Sequence, residues 1–213
     1  APENKLRVIA PDVGGGFGSK IYIYPEEIVC LWASKRTNVP VKWVADRTES
    51  FLSDAHGRDH VSNIKIAFDA DNRITGMKVD TLANLGAYMS LFSSAVPTYL
   101  YATLLSGQYN IPNIHANVRT IYTNTAPVDA YRGAGRPEAS YLVERAMETA
   151  ARELGVSPAE LRRTNFITEF PHQTPVIMAY DGGDFNASLD AAMKAADYDG
   201  FAARRAQSES NGK

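Results

Sequence analysis

The chain has 213 residues, of which 45% are hydrophobic and 22% are charged, so it can bury one core or two small ones. Its 22 basic and 24 acidic residues give a formal net charge of −2, which excludes an electrostatic preference for nucleic acid or an anionic membrane. The single cysteine, Cys30, excludes an internal disulfide and a cysteine-ligated cluster held by this chain alone. No secretory or membrane-length apolar segment occurs, and a cytoplasmic protein is expected.

A glycine-rich loop follows the first apolar segment of the chain. Residues 6–10 alternate in a way that predicts a buried strand, residues 14–20 read GGGFGSK, and a helix is predicted over Pro25–Thr37. Because glycines have no Cβ, the loop allows backbone amides to approach a bulky anion. The contacts expected from this pattern are Gly15, Gly16, Phe17 and Gly18.

Two nucleotide-binding folds also place a glycine-rich turn between a strand and a helix, and both match this loop poorly. The Rossmann pattern meets Ser19 where its third glycine belongs, although Asp46 after the apolar residues 41–44 imitates the ribose-binding acid. The P-loop pattern needs glycine at Ser19 and a hydroxyl residue at Ile21. A structural turn without a ligand is the remaining interpretation of the loop taken alone.

A second loop opens a helix far along the chain, with the sequence AYRGAGRPE over residues 130–138. Pro137 and Glu138 suit the first turn of the helix predicted over residues 139–154. The amides of residues 132–135 are therefore expected to face outward, beside two arginines, Arg132 and Arg136, that suit a phosphate or dithiolene-type anion. The alternative is that both arginines are ordinary surface or ion-paired residues.

The middle and C-terminal parts of the chain are predicted to form the structural scaffold of the domain. Residues 60–88 read as an antiparallel hairpin with a turn at residues 69–72, residues 117–122 return as a strand, and an amphipathic helix is predicted over residues 185–196. Strands that run both ways with helices beside them predict an α+β fold with a mixed, largely antiparallel sheet. We expect one domain over residues 1–205 and a polar tail over residues 206–213.

Residues 56–60, HGRDH, bring two of the four histidines close together. A two-histidine zinc site at His56 and His60 is one interpretation, but no third soft ligand lies nearby in the sequence. A loop whose polar residues cap the neighbouring elements is the favoured one.

Taken together, GGGFGSK and AYRGAGRPE resemble the molybdenum-binding large subunit of the molybdenum hydroxylases, the family of xanthine dehydrogenase, aldehyde oxidase and aerobic carbon monoxide dehydrogenase. The resemblance also covers residues 41–49, 109–114 and 161–167, in the family's order. It implies part of a molybdopterin-binding domain with a molybdenum–molybdopterin cofactor, in the cytosine dinucleotide form. The implied contacts are main-chain contacts at Phe17 and Arg132, so we expect the two backbone nitrogens to face one shared cavity, with Gly133 beside them.

Three departures from the family pattern bear on the substrate. Gly133 stands where carbon monoxide dehydrogenases hold copper with a cysteine, so a copper site is not expected, and small residues here leave room for an organic substrate. Ile21 and Ala134 stand on the substrate side, where xanthine-type members have a glutamate and an aromatic clamp. The resemblance is therefore to the carbon monoxide dehydrogenase-like branch, and it implies oxidative hydroxylation of an aldehyde or N-heterocycle with oxygen from water.

The family's large subunits are several times longer, so we expect this chain to be a fragment. The second cofactor-binding half and the catalytic glutamate are not in the sequence, so no catalytic residue and no metal ligand is assigned. The implied partners are the rest of the large subunit, an FAD-binding medium subunit and a 2Fe–2S small subunit, with possible self-association of the fragment. The alternatives are a cofactor-free scaffold of the same fold and, less favoured, a nucleotide-binding oxidoreductase domain.

Overall fold

A three-stranded mixed sheet lies in the middle of the computed structural model, which describes residues 2–212. Strands β1 (His60–Phe68) and β2 (Ile74–Gly86) form an antiparallel hairpin, and β3 (Ile114–Tyr122) pairs parallel to β2. A small second sheet joins β4 (His172–Gln173) and β5 (Ala179–Tyr180) antiparallel. The α+β class and the mixed sheet predicted from the sequence are confirmed.

The hairpin pairs in the register that its apolar residues predict. Ile64 lies opposite Val79 and Ile66 lies opposite Met77. In the turn, the Asp69 carboxylate accepts hydrogen bonds from the backbone nitrogens of residues 71 and 73, both at 2.9 Å. The register is fixed because a slip by one residue would turn the buried side chains to solvent.

Six α-helices lie in the described chain, besides short 3₁₀ turns at Glu3–Lys5 and Ser19–Ile21 and a π-helical turn at Val96–Leu100. They are α1 (Pro25–Thr37), α2 (Arg47–Ser53), α3 (Arg136–Leu154), α4 (Pro158–Asn165), α5 (Phe185–Ala195) and α6 (Phe201–Ser210). Helices α1, α3 and α5 lie where the sequence predicts helices. Helix α6 runs across residue 206, where the polar tail is expected to start. None of the helices between residues 2 and 212 combines the length and the apolar character that crossing a membrane requires.

The core lies between the sheet and α3. Val79 of β2, Val143 and Met147 of α3 and Leu161 of α4 are buried together. The connection between β2 and β3 adds Tyr101, Leu105, Tyr109 and Ile111 to this cluster. Since α3 is fixed on the sheet, its first turn and the second loop that precedes it have a rigid base.

The strand predicted over residues 6–10 is absent. The segment pairs with no strand among residues 2–212, and Val8 is 94% exposed. An isolated extended segment leaves its backbone groups to solvent, so apolar alternation alone does not make a strand without a neighbour to pair with.

The N-terminal quarter of the chain exposes an unusually large apolar surface. Tyr22 is the one fully buried residue between residues 2 and 55. The more than half-exposed large apolar residues of the segment, which we call the N-terminal apolar surface, are Leu6, Val8, Ile9, Val13, Phe17, Ile21, Ile23, Ile28, Val29, Leu31, Trp32, Val39, Val44, Phe51 and Leu52. So many exposed apolar side chains in one segment favour an interface there.

We expect the 213-residue chain to self-associate at micromolar concentration, because water-exposed apolar area on this scale is ordinarily buried. Leu31→Lys on α1 should shift sedimentation velocity profiles toward the monomer. Tyr141→Lys, an equally exposed site on α3, is the matched control and should leave association unchanged. A wild-type chain that sediments as a monomer would contradict this expectation.

Candidate functional site

The two glycine-containing loops meet directly. The backbone N–H of Arg132 donates to the carbonyl oxygen of Phe17 at 2.8 Å. The Arg132 guanidinium also lies over the Phe17 ring, 5.6 Å from its centroid, in a cation–π contact. Residues that are more than a hundred positions apart in the sequence thus form one continuous surface.

Two further contacts lock the loops together. The Tyr22 hydroxyl donates to the Ala130 carbonyl oxygen at 3.0 Å. Burial, reinforced by the nearby Asp129 carboxylate, raises the pKa of Tyr22, so its hydroxyl stays a donor. Gly18 lies against the same Ala130 carbonyl with φ +100°, and a Cβ here would overlap that oxygen. Gly18 is therefore required by contact between the loops, and this requirement exists without a ligand.

The second loop is anchored from behind by a buried acid. Asp129 is 1% exposed, and its carboxylate accepts hydrogen bonds from the Phe92 backbone nitrogen at 3.0 Å and from Ser93 Oγ at 3.3 Å. It also accepts from the backbone nitrogen of Ala130. A buried carboxylate with several donors is well satisfied, so the start of the second loop is held in one position.

The first loop presents a row of free backbone donors. Among residues 2–212, no protein acceptor lies within hydrogen-bonding range of the N–H groups of Gly15, Gly16, Phe17 or Gly18. Phe17 has φ +50°, an uncommon conformation for a residue with a side chain. Left-handed backbone with unpaired N–H groups is the geometry of an anion-binding concavity, and strained residues cluster at such sites.

The second loop is less open than the sequence predicts. The Arg132 amide bonds Phe17, and the Ala134 amide bonds the Tyr131 carbonyl oxygen at 2.7 Å. The prediction that both the Phe17 and Arg132 nitrogens face a shared cavity is thus wrong for Arg132, because contact between the loops uses that donor. The N–H groups of Tyr131, Gly133 and Gly135 have no protein acceptor among the described residues, and Gly133 is the one of them next to Arg132 on its C-terminal side.

The substrate-side positions lie next to these loops. Ile21 ends the short turn Ser19–Ile21 and is half exposed, and Ala134 is partly buried. At Gly133, with φ +96°, a Cβ would meet Pro137 Cγ at 2.8 Å and Arg58 Nη2 at 3.5 Å. In this conformation a Cβ at position 133 would lie toward Pro137 of α3 and Arg58, and the expectation that small size here leaves room for substrate stays a prediction.

The zinc interpretation of the histidine cluster, which the sequence disfavoured, has no support among the described residues. Among residues 2–212, no three histidine, cysteine, aspartate or glutamate side chains are grouped so that they could bind a metal ion. His56 Nε2 pairs with the Phe51 carbonyl oxygen at 3.1 Å. His60 packs edge-on against Tyr101, and burial lowers its pKa despite the nearby carboxylates of Glu138 and Asp59.

The structure removes the two features that favoured a nucleotide-binding fold, which are a strand before the first loop and a free acid at Asp46. No strand precedes the first loop within the described chain. Asp46, the imitation of a ribose-binding acid, is the N-cap of α2 and accepts a hydrogen bond from the Glu49 backbone nitrogen at 2.8 Å. Its carboxylate is thus engaged in capping.

Sequence reasoning missed three residues that build this site. Tyr22 follows the first loop and Asp129 precedes the second. Arg58 lies inside HGRDH, a segment whose histidines suggest metal binding. A signal existed for Asp129, since an acid directly before a loop that is expected to bind an anion needs a local partner. The pairing of Tyr22 with residue 130 had no signal in a single sequence.

Comparison with known proteins identifies the family. The family model of the molybdopterin cofactor-binding domain matches residues 1–166. The chain belongs to that family. It is 40% identical over 212 residues to the carbon monoxide dehydrogenase large chain of Hydrogenophaga pseudoflava. That alignment covers 96% of this chain and 26% of the relative. The chain is 37% identical over 213 residues to the nicotine 6-hydroxylase large subunit of Paenarthrobacter nicotinovorans, covering 99% of this chain and 26% of that protein.

A solved structure shows the same fold. Quinoline 2-oxidoreductase from Pseudomonas putida 86 superposes with a TM-score of 0.89 at 30% identity, over 95% of this chain and 26% of that one. The resemblance to the molybdenum-binding large subunits, in the carbon monoxide dehydrogenase-like branch, is confirmed. The chain spans about a quarter of the length of these relatives.

Gly18→Ala should destabilise the loop pair by roughly 1–3 kcal/mol, because the new Cβ overlaps the Ala130 carbonyl oxygen and φ is positive. Gly14→Ala is the matched control. A Cβ there meets nothing within 4 Å, so its free energy of unfolding should stay within about 0.5 kcal/mol of the wild type. Urea unfolding of both variants measures the difference, and equal midpoints would show that the loops do not depend on this contact.

Proposed function

We propose that the two loops hold the molybdenum end of a molybdopterin cofactor in a molybdenum hydroxylase large subunit. The observation that supports the proposal is the hydrogen bond between Arg132 and Phe17, which joins the loop with the free donors of residues 15–18 to the loop that contains Gly133. The reaction we propose for the whole enzyme is hydroxylation of a C–H bond in an aldehyde or an N-heterocycle, with the oxygen taken from water.

The residues present fit such a group. A molybdopterin offers anionic sulfur and phosphate oxygens, and unpaired N–H groups on left-handed backbone suit anions. When bound, the cofactor supplies a metal centre that accepts electrons from the substrate. Phe17 and Gly133 would each direct a backbone N–H at it, and the contacts of Tyr22 and Gly18 with Ala130 would keep the two donors at a fixed separation. Donors fixed in advance need no reorganisation during the reaction.

The two side chains predicted to face the substrate favour a neutral organic substrate. Ile21 and Ala134 are apolar and offer no charge or hydrogen-bonding group to a substrate. Two of the relatives, nicotine 6-hydroxylase and quinoline 2-oxidoreductase, are named for N-heterocycles. Gly133 offers no thiolate, so the proposal includes no copper and does not favour carbon monoxide.

The proposal extends to cofactor form and partners. The cytosine dinucleotide form of the cofactor, an FAD-binding medium subunit, a 2Fe–2S small subunit and a cytoplasmic location belong to it through the family resemblance. The N-terminal apolar surface would be covered by the rest of the large subunit, because the relatives are about four times as long as this chain. Co-purification from the native host identifies these partners directly.

We expect the complex purified from its native host to contain equimolar molybdenum and no stoichiometric copper, measured by inductively coupled plasma mass spectrometry. With an aldehyde or a quinoline-type heterocycle as substrate in H₂¹⁸O, the hydroxylated product should contain ¹⁸O, and carbon monoxide should be oxidised more slowly. Gly14→Ala should retain its molybdenum, whereas Gly18→Ala should lose it.

Each contrary result has a defined meaning. Absence of molybdenum from the native complex would favour the cofactor-free scaffold over an enzyme. Copper equal to molybdenum, with carbon monoxide as the best substrate, would contradict the proposed substrate class.

A further inference from the structure

The segment HGRDH, which the cofactor loops themselves do not include, packs against the back of the second loop. The His56 backbone N–H donates to the Pro127 carbonyl oxygen at 2.8 Å, and the Asp129 N–H donates to the His56 carbonyl oxygen at 2.7 Å. One residue further, a Cβ on Gly57 would meet Tyr131 Cβ at 2.5 Å. The two segments thus run side by side, close enough to require glycine at position 57.

Arg58 reaches from this segment to three different groups. Its Nη2 donates to the carbonyl oxygen of Arg132, and its guanidinium lies over the Tyr131 ring, 4.8 Å from the centroid. Its Nε lies 3.8 Å from Glu138 Oε2 in the first turn of α3. A planar guanidinium can serve a carbonyl, an aromatic face and a carboxylate at once, which an ammonium group cannot do.

The buried carboxylate of Glu138 keeps the Arg58 guanidinium in this position. Its side chain is 8% exposed, and Oε2 has no hydrogen-bond partner among residues 2–212. A buried carboxylate without a hydrogen bond needs a nearby cation, and the guanidinium of Arg58 supplies it. Glu138 therefore holds Arg58 in place, because moving the guanidinium away would leave the charge uncompensated.

The carbonyl that Arg58 binds belongs to the same peptide unit as the free N–H of Gly133. In a planar trans peptide the C=O and N–H point in opposite directions. Fixing the Arg132 carbonyl toward Arg58 therefore aims the Gly133 N–H in the opposite direction, away from Arg58. A cation on the carbonyl also polarises the peptide and strengthens its N–H as a donor.

We propose that Arg58 is the positioning residue of the second cofactor loop: held by Glu138, it fixes the Arg132–Gly133 peptide so that the Gly133 N–H is available to an anionic ligand. The ligand part rests on the proposed function, whereas the effect on loop conformation does not.

Hydrogen exchange in the purified native complex, read by mass spectrometry on peptides covering residues 130–136, tests the conformational part. Arg58→Met should accelerate exchange in this segment by about tenfold or more, because a charged hydrogen bond to the loop is lost. Exchange near the C-terminal end of α3 should be unchanged. Arg145→Met, an exposed arginine on α3 without an ion pair among the described residues, is the matched control and should behave as wild type.

Two further variants separate positioning from charge compensation. Arg58→Lys keeps the charge without the planar fork, so it should accelerate exchange in residues 130–136 less than Arg58→Met does. The double variant Arg58→Met with Glu138→Gln removes the uncompensated carboxylate and guards against simple misfolding. The proposal predicts that Arg58→Met contains less molybdenum than the wild type. It also predicts that the double variant regains thermal stability while its exchange stays fast and its molybdenum content stays low.

The exchange results decide the role of Arg58, and the molybdenum content decides the proposed function. Exchange in Arg58→Met equal to that in Arg145→Met, or full recovery of slow exchange in the double variant, would overturn the positioning role. If the wild-type complex contains no molybdenum, the proposed function fails while the exchange comparison still decides the role of Arg58.

Discussion

One backbone hydrogen bond, from Arg132 N–H to the Phe17 carbonyl oxygen, joins the two halves of the candidate site. The other features of the site follow from the need to keep that bond. Gly18 lets the loops approach, and Tyr22 ties the first loop to the Ala130 carbonyl. Because the loops come from distant parts of the chain, each bond between them closes a long segment and must be supported on both sides.

The support for the second loop is the folded core. Helix α3 packs on β2 through Val143 and Met147, and its first turn continues directly from the loop. The acid at Asp129 and the pair of Arg58 and Glu138 connect the loop to the surrounding segments. The first loop is supported by far fewer buried residues, since the segment around it is nearly all exposed.

Residues with local signals were predictable from the sequence. The β1–β2 hairpin has alternating apolar residues and an aspartate turn, and α1 begins at Pro25, so both were found at nearly their observed bounds. The two loops were recognisable because glycine and proline fix backbone geometry locally. Residues 6–10 were misassigned, since a strand depends on a neighbour that the local pattern does not reveal. The use of the Arg132 amide and the three contacts of Arg58 depend on long-range packing.

The central claim is that molybdenum lies at the meeting point of these two loops. Anomalous diffraction at the molybdenum K edge, recorded from crystals of the complex purified from its native host, tests it most directly. The account predicts a single strong anomalous peak beside the backbone amides of Phe17 and Gly133, with no copper peak next to it. A molybdenum peak on another face of the domain, remote from both loops, would contradict it.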